Sequence, residues 1–346
     1  MQIFLIVLST YVVVATLLPF MRTGKWWIRA FDFLRVQTIC IGVGTLVGLA
    51  WTYDGQRLSL LLMGLVSSCV AYYTYCLYPY TLLSPRQVLP ATKNDPTRRF
   101  CVLVSNIQMD NQRVEPLLAL IEKVNPDILF LLEPNAWWTE QLSGLDHDYP
   151  YAVKQPQDNF YGMIVYSRLP LAYTAVKFLV EDHIPSIYAQ ATLRSGDIVD
   201  LYCLHPEPPV PSIDTEERDA ELLIVSKQVR QAGRPCVVGG DLNDVAGSPI
   251  NRLFQNISGL LDPRIGRGLY NTHPTYVPFL RAPVDHVFHS DEFRLVTLKR
   301  LPKIGSDHFP ICIKLSYEPE KEEEQEEPTP TPEEKACAEE IIENGQ

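Results

Sequence analysis

The sequence predicts an α+β domain, packed sheets covered by helices, carried behind three membrane-crossing helices. Three observations predict it. Residues 100–317 alternate short apolar runs, many rich in Val, Ile and Tyr, with turn signals, as buried and half-buried strands do. Few stretches of that span have helical apolar spacing. Ahead of it, runs 1–20, 36–53 and 58–78 are each about 18–21 residues long, enough for a helix to cross roughly 30 Å of hydrocarbon. Many strands with few helices over about 220 residues suit one domain of packed layers.

The first segment, 1–85, reads as a three-helix membrane anchor. Run 1–20 has no charged side chain. A helix satisfies its own backbone polar groups, so such runs can sit in lipid. Gly42, Gly44 and Gly48 suit close helix contact there. Trp26, Trp27, Tyr72, Tyr73, Tyr75, Tyr78 and Tyr80 cluster at the ends of the runs, where aromatic belts meet water. A cleaved signal peptide fits less well, because run 1–20 lacks a basic start and a small-residue cleavage site. A buried helical bundle in a soluble protein is the other alternative. Arg22, Lys25, Arg29 and Arg35 follow the first run, and Arg86, Lys93, Arg98 and Arg99 follow the third, against only Arg57 between the second and third. Basic loops stay in the cytoplasm, so the chain after the third run is expected there, with the N-terminus outside.

Residues 86–99 read as a linker and 100–317 as the catalytic domain. Its strand candidates are 100–105, 127–132, 161–167, 187–193, 198–204, 235–239, 284–288 and 311–315. Helix 114–124 places Leu117, Leu118, Leu120, Ile121 and Val124 on an apolar face. Helix 215–232 starts at Asp214 with Glu217 three residues on, a capping-box pattern, and stops at Gly233 with Pro235 beyond. The last segment, 318–346, holds 12 acidic and 2 basic residues. Like charges and Pro predict a disordered acidic tail there.

Charge sharpens the division. The whole chain carries net -11, which speaks against a general polyanion binder. Residues 1–99 carry net +6, residues 100–317 net -7 and residues 318–346 net -10. The eight Cys contain no CxxC pair, so neither a zinc site nor a redox motif is indicated, and small buried thiols are expected.

The chemistry gathers at strand ends. CVLVS is followed by Asn106, ILFLL by Glu133, VDLYCL by His205, and PCVVGG by Asp241 with Asn243 two residues on. Asp285 opens DHVF, and Asp307 and His308 precede FPICI. Strand ends on a rigid sheet present reactive groups to solvent. Carboxylates, carboxamides and imidazoles together suit a hard divalent cation with acid–base groups beside it. Asp307 and His308 are neighbours, so a regular strand would send them to opposite faces. Gly305 permits the irregular backbone that brings both to one cleft.

These residues, with YGMIVYSR (161–168), LHPEPP (204–209), GGDLND (239–244), VDHVF (284–288) and GSDHFPI (305–311), resemble the endonuclease/exonuclease/phosphatase superfamily, the fold of pancreatic deoxyribonuclease and exonuclease III. The likeness covers roughly 100–317 in family order, and the three-run anchor is similar to a membrane-anchored bacterial branch. It implies a four-layer α-β-β-α sandwich and hydrolysis of a phosphate ester with Mg2+ or Mn2+, in a bacterial inner membrane. Carried over, Glu133 is the principal metal carboxylate, with Asn106 and Asp307 near the metal or the phosphate. His205 is a catalytic or phosphate-contacting imidazole. Asp241 orients or deprotonates the water and Asn243 holds a phosphate oxygen. His308 is general base or phosphate contact, with Asp285 accepting its other N–H. Tyr161, Arg264 and Arg267 are expected to bind substrate, although scattered surface arginines would look the same. Where some nuclease members have an acidic residue two positions after the first-strand Asn, this chain has Gln108.

Three readings follow. The first is a membrane-anchored phosphoesterase acting on a lipid-linked phosphate or another membrane-proximal phosphoester. The second is a membrane-tethered nuclease, which the -7 of the domain and the lack of a basic, aromatic-interleaved stripe disfavour. The third is a catalytically silent interaction module. Membrane lipids and the phosphoester are the expected partners, and no obligate protein partner is inferred.

Overall fold

The computed structural model describes every residue except 22, 54 and 346. Arg22, one of the cations counted for orientation, thus lies outside the described residues. Four helices come first: α1 (Gln2–Leu17), α2 (Trp26–Phe33), α3 (Arg35–Trp51) and α4 (Arg57–Leu77). Gln2–Phe20 and Arg57–Tyr80 are long and apolar enough to cross a membrane, while α2 and α3 form a pair bent by 70°. By itself α3 has 17 residues, about 26 Å at 1.5 Å per residue, a little short of the hydrocarbon core. Two helices long enough to cross and one bent pair therefore stand where three runs of about 18–21 residues were expected. Close packing is real at two of the three glycines. A Cβ on Gly42 would lie 2.6 Å from Val70 and one on Gly48 2.6 Å from Leu5, whereas Gly44 faces open space.

Next come β1 (Arg99–Asn106), α5 (Val114–Val124), β2 (Ile128–Leu132), α6 (Ala136–Gln141), β3 (Tyr151–Gln155), β4 (Met163–Ser167), β5 (Leu171–Phe178), β6 (Pro185–Thr192) and β7 (Ile198–Leu204). Then follow α7 (Glu216–Ala232), β8 (Cys236–Asp241), α8 (Pro249–Ser258), β9 (Asp285–His289), β10 (Phe293–Arg300), β11 (Ile311–Tyr317) and α9 (Pro332–Asn344). They form two sheets, β10-β11-β1-β2-β4-β3 and β5-β6-β7-β8-β9. Alternate side chains point to opposite faces of a strand, and that rule builds the layers. Val102 and Val104 of β1 meet Leu201 and Cys203 of β7 and Val237 of β8 in the core between the sheets. Leu103 of β1 points the other way, onto Leu117, Leu120 and Ile121 of α5 and Trp138 of α6. Tyr202, Leu204 and Val238 point outward onto Leu222 and Leu223 of α7 and Phe254 of α8. The result is a sandwich of two sheets with helices on both outer faces.

Strands β3, β5 and β10 and helices α6 and α8 were not expected. Strands β3 and β5 are largely exposed edge strands, so no apolar alternation marks them. Helix α8 did carry signals, Ser248 at its N-cap and Pro249 at its first position. The capping box expected at Asp214 is absent: Thr215 is the N-cap and makes no side-chain cap. The Asp214 carboxylate instead accepts from Trp26 N at 3.0 Å and pairs with Lys25 at 2.6 Å. All eight Cys are free, five of them buried as expected, while Cys40 is exposed.

Two boundaries are corrected. The linker 86–99 is strapped to the sandwich: Val88 sits in the core between the sheets, Leu295 N donates to Leu89 O (3.0 Å) and Ala91 N to Leu295 O (2.9 Å). The acidic tail is folded rather than disordered. Glu318 is buried and accepts from Thr92 N and Lys93 N. Helix α9 opens with a full capping box, Thr331 with Glu334. Its Ala338 is buried beside Cys337, Ile341 and Ile342 on the α7 and α8 layer. Glu333, Glu339, Glu340 and Glu343 of α9 sit on its wet face, so their charge does not oppose folding as a whole-segment count suggests.

Candidate active site

Two parallel strand pairs, β1 with β2 and β7 with β8, run toward the same rim. Asn106 ends β1, Glu133 follows β2, His205 follows β7 and Asp241 ends β8. Strand β9 runs antiparallel to β8, so its first residue, Asp285, lies opposite Asp241. That topology alone collects five of the expected site residues.

Asn106 Nδ2 donates to Glu133 Oε1 at 2.7 Å and to Asp241 Oδ2 at 3.2 Å. Met109 N donates to Glu133 Oε2 at 3.1 Å. The Asp241 Oδ1 atom accepts from Asn243 N at 3.0 Å. His308 joins the group through both nitrogens, with Nδ1 2.8 Å from Asp285 Oδ2 and Nε2 3.4 Å from Asp241 Oδ2. His205 Nε2 lies 3.9 Å from the same Asp241 oxygen. Asn243 Nδ2 donates to Pro206 O, which ties the β8 loop to the β7 loop. Backbone shape assists: Glu133, Asn243 and Gln108 all have positive φ, at 66°, 50° and 60°. Such conformations are costly for non-glycine residues and gather at functional sites.

Gly305, at φ 109°, provides the irregular turn expected before Asp307 and His308. His308 faces Asp285 and Asp241, while Asp307 Oδ2 lies 3.6 Å from His273 Nε2. Gln108 bridges the two halves: its N–H donates to Asn106 Oδ1 and its Oε1 accepts from Asp307 N. Tyr161 lines the cleft, its ring 5.6 Å from that of His205 and its OH 3.4 Å from Glu207.

The two arginines do not behave as expected. Arg264 is 2% exposed and bound to Asp262 through Nε and an amino nitrogen (2.9 and 2.8 Å), with His286 at 2.6 Å. Arg267 donates to Pro263 O and Val88 O. Both guanidinium groups are held by contacts within the fold, although Arg264 Nη1 is buried without a partner among the described residues. One neighbour escaped sequence reading. The His273 ring stacks on His308 with centroids 4.5 Å apart. It sits in a loop with no periodic pattern, and no signal in the sequence marked it.

Burial and charge set the protonation states. Burial pushes the Glu133 carboxyl up to about 7, against the Asn106 and Met109 donors that lower it. Burial lowers His205 below its ordinary value despite the pull of Asp241, which keeps the imidazole neutral. Burial also works against the charged form of His308, but Asp285 and Asp241 outweigh it and raise the imidazole to about 10. Burial pushes Asp307 up, and His273 and His308 outweigh that to hold it below the usual carboxylate value. Asp241, Asp285 and His308 offer ligand atoms within 4.8 Å of one another, as do His273, Asp307 and His308.

Residues 103–308 match the model of the Endonuclease/Exonuclease/phosphatase family. The chain belongs to that family, and it is an enzyme of the metal-dependent class that cleaves phosphoester bonds. Solved structures agree on the fold. A humanized D. rerio TDP2 is 17% identical with a TM-score of 0.55, covering 63% of this chain and 99% of its own. An endonuclease/exonuclease/phosphatase from Bacteroides vulgatus is 15% identical with a TM-score of 0.53, covering 64% and 99%. The human Nocturnin catalytic domain is 16% identical with a TM-score of 0.50, covering 68% and 96%. No curated protein sequence matches.

Proposed function

We propose that the chain is a membrane-anchored phosphoesterase that uses Mg2+ or Mn2+ to hydrolyse a lipid-linked phosphate ester, on the cytoplasmic side of a bacterial inner membrane. One observation carries the reading: the apolar helices are seated on the loops that bear the polar cluster. Arg35 at the start of α3 donates to Gly247 O at 2.9 Å, in the loop that follows Asp241 and Asn243. An enzyme tethered there meets membrane substrates at raised effective concentration. The basic loop residues support the cytoplasmic side.

The donor set fits a hard divalent cation. Among the described residues Glu133 is a half-buried carboxylate that meets two N–H donors, and Asp285 Oδ1 is buried with no partner. Such oxygens are the ligands Mg2+ and Mn2+ take. Glu133 and Asn106 would hold the ion, with Asp307 near the ion or the phosphate. When bound, it neutralises phosphate charge and polarises the P–O bond. The chain's own groups do the rest. Asp241, fixed by Asn243 N–H, orients the attacking water and accepts its proton. His308, charged between Asp285 and Asp241, donates from Nε2 to a phosphate oxygen. Asn243 holds a second oxygen without adding negative charge. His205 and Tyr161 form the wall against which the ester group lies.

A tethered nuclease is the second reading, favoured by one likeness: a D. rerio TDP2 structure, 18% identical with a TM-score of 0.54, is complexed with single strand DNA product. The net -7 of residues 100–317 and the commitment of Arg264 and Arg267 weigh against it. The test is a panel assay of the full chain in vesicles with Mg2+ and with EDTA, on a lipid pyrophosphate, a bis-aryl phosphodiester, DNA and RNA. Metal-dependent turnover of the lipid substrate, lost in Glu133→Ala, is expected. DNA cleavage far above lipid turnover would replace this reading with the second, and no turnover at all would leave a silent module.

A further inference from the structure

The anchor touches the catalytic domain at a restricted set of places. Thr215 N donates to Gly24 O at 2.8 Å, Gly266 N to Pro79 O at 2.8 Å, and Gln37 Nε2 to Phe279 O at 2.6 Å. With Arg35 on Gly247, these partners lie in the loops after β7 and β8 and in the long loop before β9. The same loops carry His205, Asn243 and His273. The ends of the apolar helices and the mouth of the cleft therefore share one side of the molecule.

Within the long loop, the segment 275–281 has a fixed base and a bare tip. At the base, Thr275 N donates to Asp307 O (2.8 Å) and Thr275 Oγ1 to Ser306 O (3.1 Å). Arg281 closes the base by donating to Thr275 O (2.7 Å). At the tip, Tyr276 is 69%, Phe279 74% and Leu280 43% exposed. Three large apolar side chains in five residues, left in water by a loop that is otherwise tied down, mark a surface that meets something.

Position says what it meets. Gln37, which holds Phe279 O, is in the first turn of α3, about 3 Å along the helix axis from its start. Other bare apolar groups sit at the same ends of the helices: Phe20 and Met21 after α1, and Leu82 and Leu83 after α4. Basic groups border the tip. Arg281 and Arg300 both lie over the Phe309 ring, at 4.9 and 4.6 Å, and Arg300 is exposed. An apolar tip with a cationic border, continuous with the ends of apolar helices, has the chemistry of a segment that enters an anionic bilayer surface.

We propose that the 275–281 loop is a membrane-seating loop. Tyr276, Phe279 and Leu280 enter the boundary between headgroups and acyl chains of the bilayer that holds the anchor. The base of the loop, through Thr275 and His273, then sets Asp307 and His308 at headgroup level. This inference rests on the membrane-anchored reading above.

The test reconstitutes the full chain in vesicles of phosphatidylcholine and phosphatidylglycerol, part of the phosphatidylcholine carrying brominated acyl chains. The variant Phe279→Trp is compared with Tyr173→Trp, a 79% exposed position on edge strand β5, each corrected for the emission of the native tryptophans. The expected result is a blue-shifted signal at 279 that the bromolipid quenches at least about twofold more than the signal at 173, and that acrylamide quenches less. Acrylamide access equal to that of position 173 overturns the inference. Protection from both quenchers also overturns it, because protein rather than lipid then covers the tip. Flotation of the vesicles after an alkaline wash separates the two failures. A chain that does not float sinks the anchored reading together with the inference, whereas a floating chain with a wet Trp at 279 sinks the inference alone.

Discussion

His308 Nδ1 lies 2.8 Å from Asp285 Oδ2, and both groups are buried. The pair holds the imidazole as a cation, raised to about 10 against burial by Asp285 and Asp241. Because the ordinary histidine value is 6.5, this charge contributes stability that is fully present below about pH 6.5 and is lost as pH rises through about 10. In Asp285→Asn the strongest opposite charge is gone. The His308 titration followed by NMR is expected to fall toward the ordinary value, and turnover to fall by about 10²–10⁴-fold. An unmoved titration would mean that Asp285 has no hold on His308.

Arg218 tests how the catalytic loop is supported. It is 2% exposed, donates to Asn243 O at 2.7 Å and pairs with Asp219 at 2.6 Å, with Asp244 at 3.9 Å. Removing one member of a buried ion pair strands the other, at about 3–5 kcal/mol. Arg218→Ala should therefore lower the unfolding free energy from denaturant titration by that amount. It should also reduce turnover, since the Asn243 backbone loses its fixture. Unchanged stability would show that Asp219 and Asp244 find other partners.

What could be read from the sequence follows physical lines. Asn106, Glu133, His205 and Asp241 were legible because each terminates a strand whose apolar pattern is unmistakable, and parallel strands deliver their ends to one rim. Arg264 and Arg267 were not, because a long flexible side chain can reach partners that spacing does not reveal, here Asp262 and the carbonyl of Val88. Asp214 misled in the same way: it has the right chemistry for a cap, but Lys25, nearly two hundred positions away, claims it. The tail misled because net charge was weighed for the segment as a whole, while folding depends on one face of one helix.

That face yields a further prediction. Ala338 is fully buried, with Cys337, Ile341 and Ile342 packed against the α7 and α8 cluster. Asn256 also donates to Glu334 at 2.8 Å. Deleting residues 328–346 uncovers that cluster, and at roughly 1.5–3 kcal/mol per large apolar side chain the loss should be about 2–5 kcal/mol, since these groups are only partly buried. Thermal melting of the truncated chain checks it. A melting temperature equal to that of the full chain would return the segment to the disordered tail its composition suggests.

The last prediction concerns Glu133 and the cation. Its carboxyl is raised by burial to about 7 from an ordinary 4.5, so the folded protein prefers it protonated. A raised carboxyl contributes stability that is fully present below about pH 4.5 and is lost as pH climbs through about 7. Above that, the metal-free site holds a half-buried anion that meets the N–H donors of Asn106 and Met109. A divalent ion that binds the ionised form must compete with the proton below pH 7 and not above it. The melting temperature gained on adding Mg2+ should therefore be larger at pH 8 than at pH 5. In Glu133→Gln the neutral amide removes both effects: the metal-free protein loses less stability between pH 4.5 and 7, and Mg2+ adds little at either pH. An equal Mg2+ shift in the variant and the parent at pH 8 would place the ion elsewhere, with the Asp241, Asp285 and His308 group as the next site to substitute.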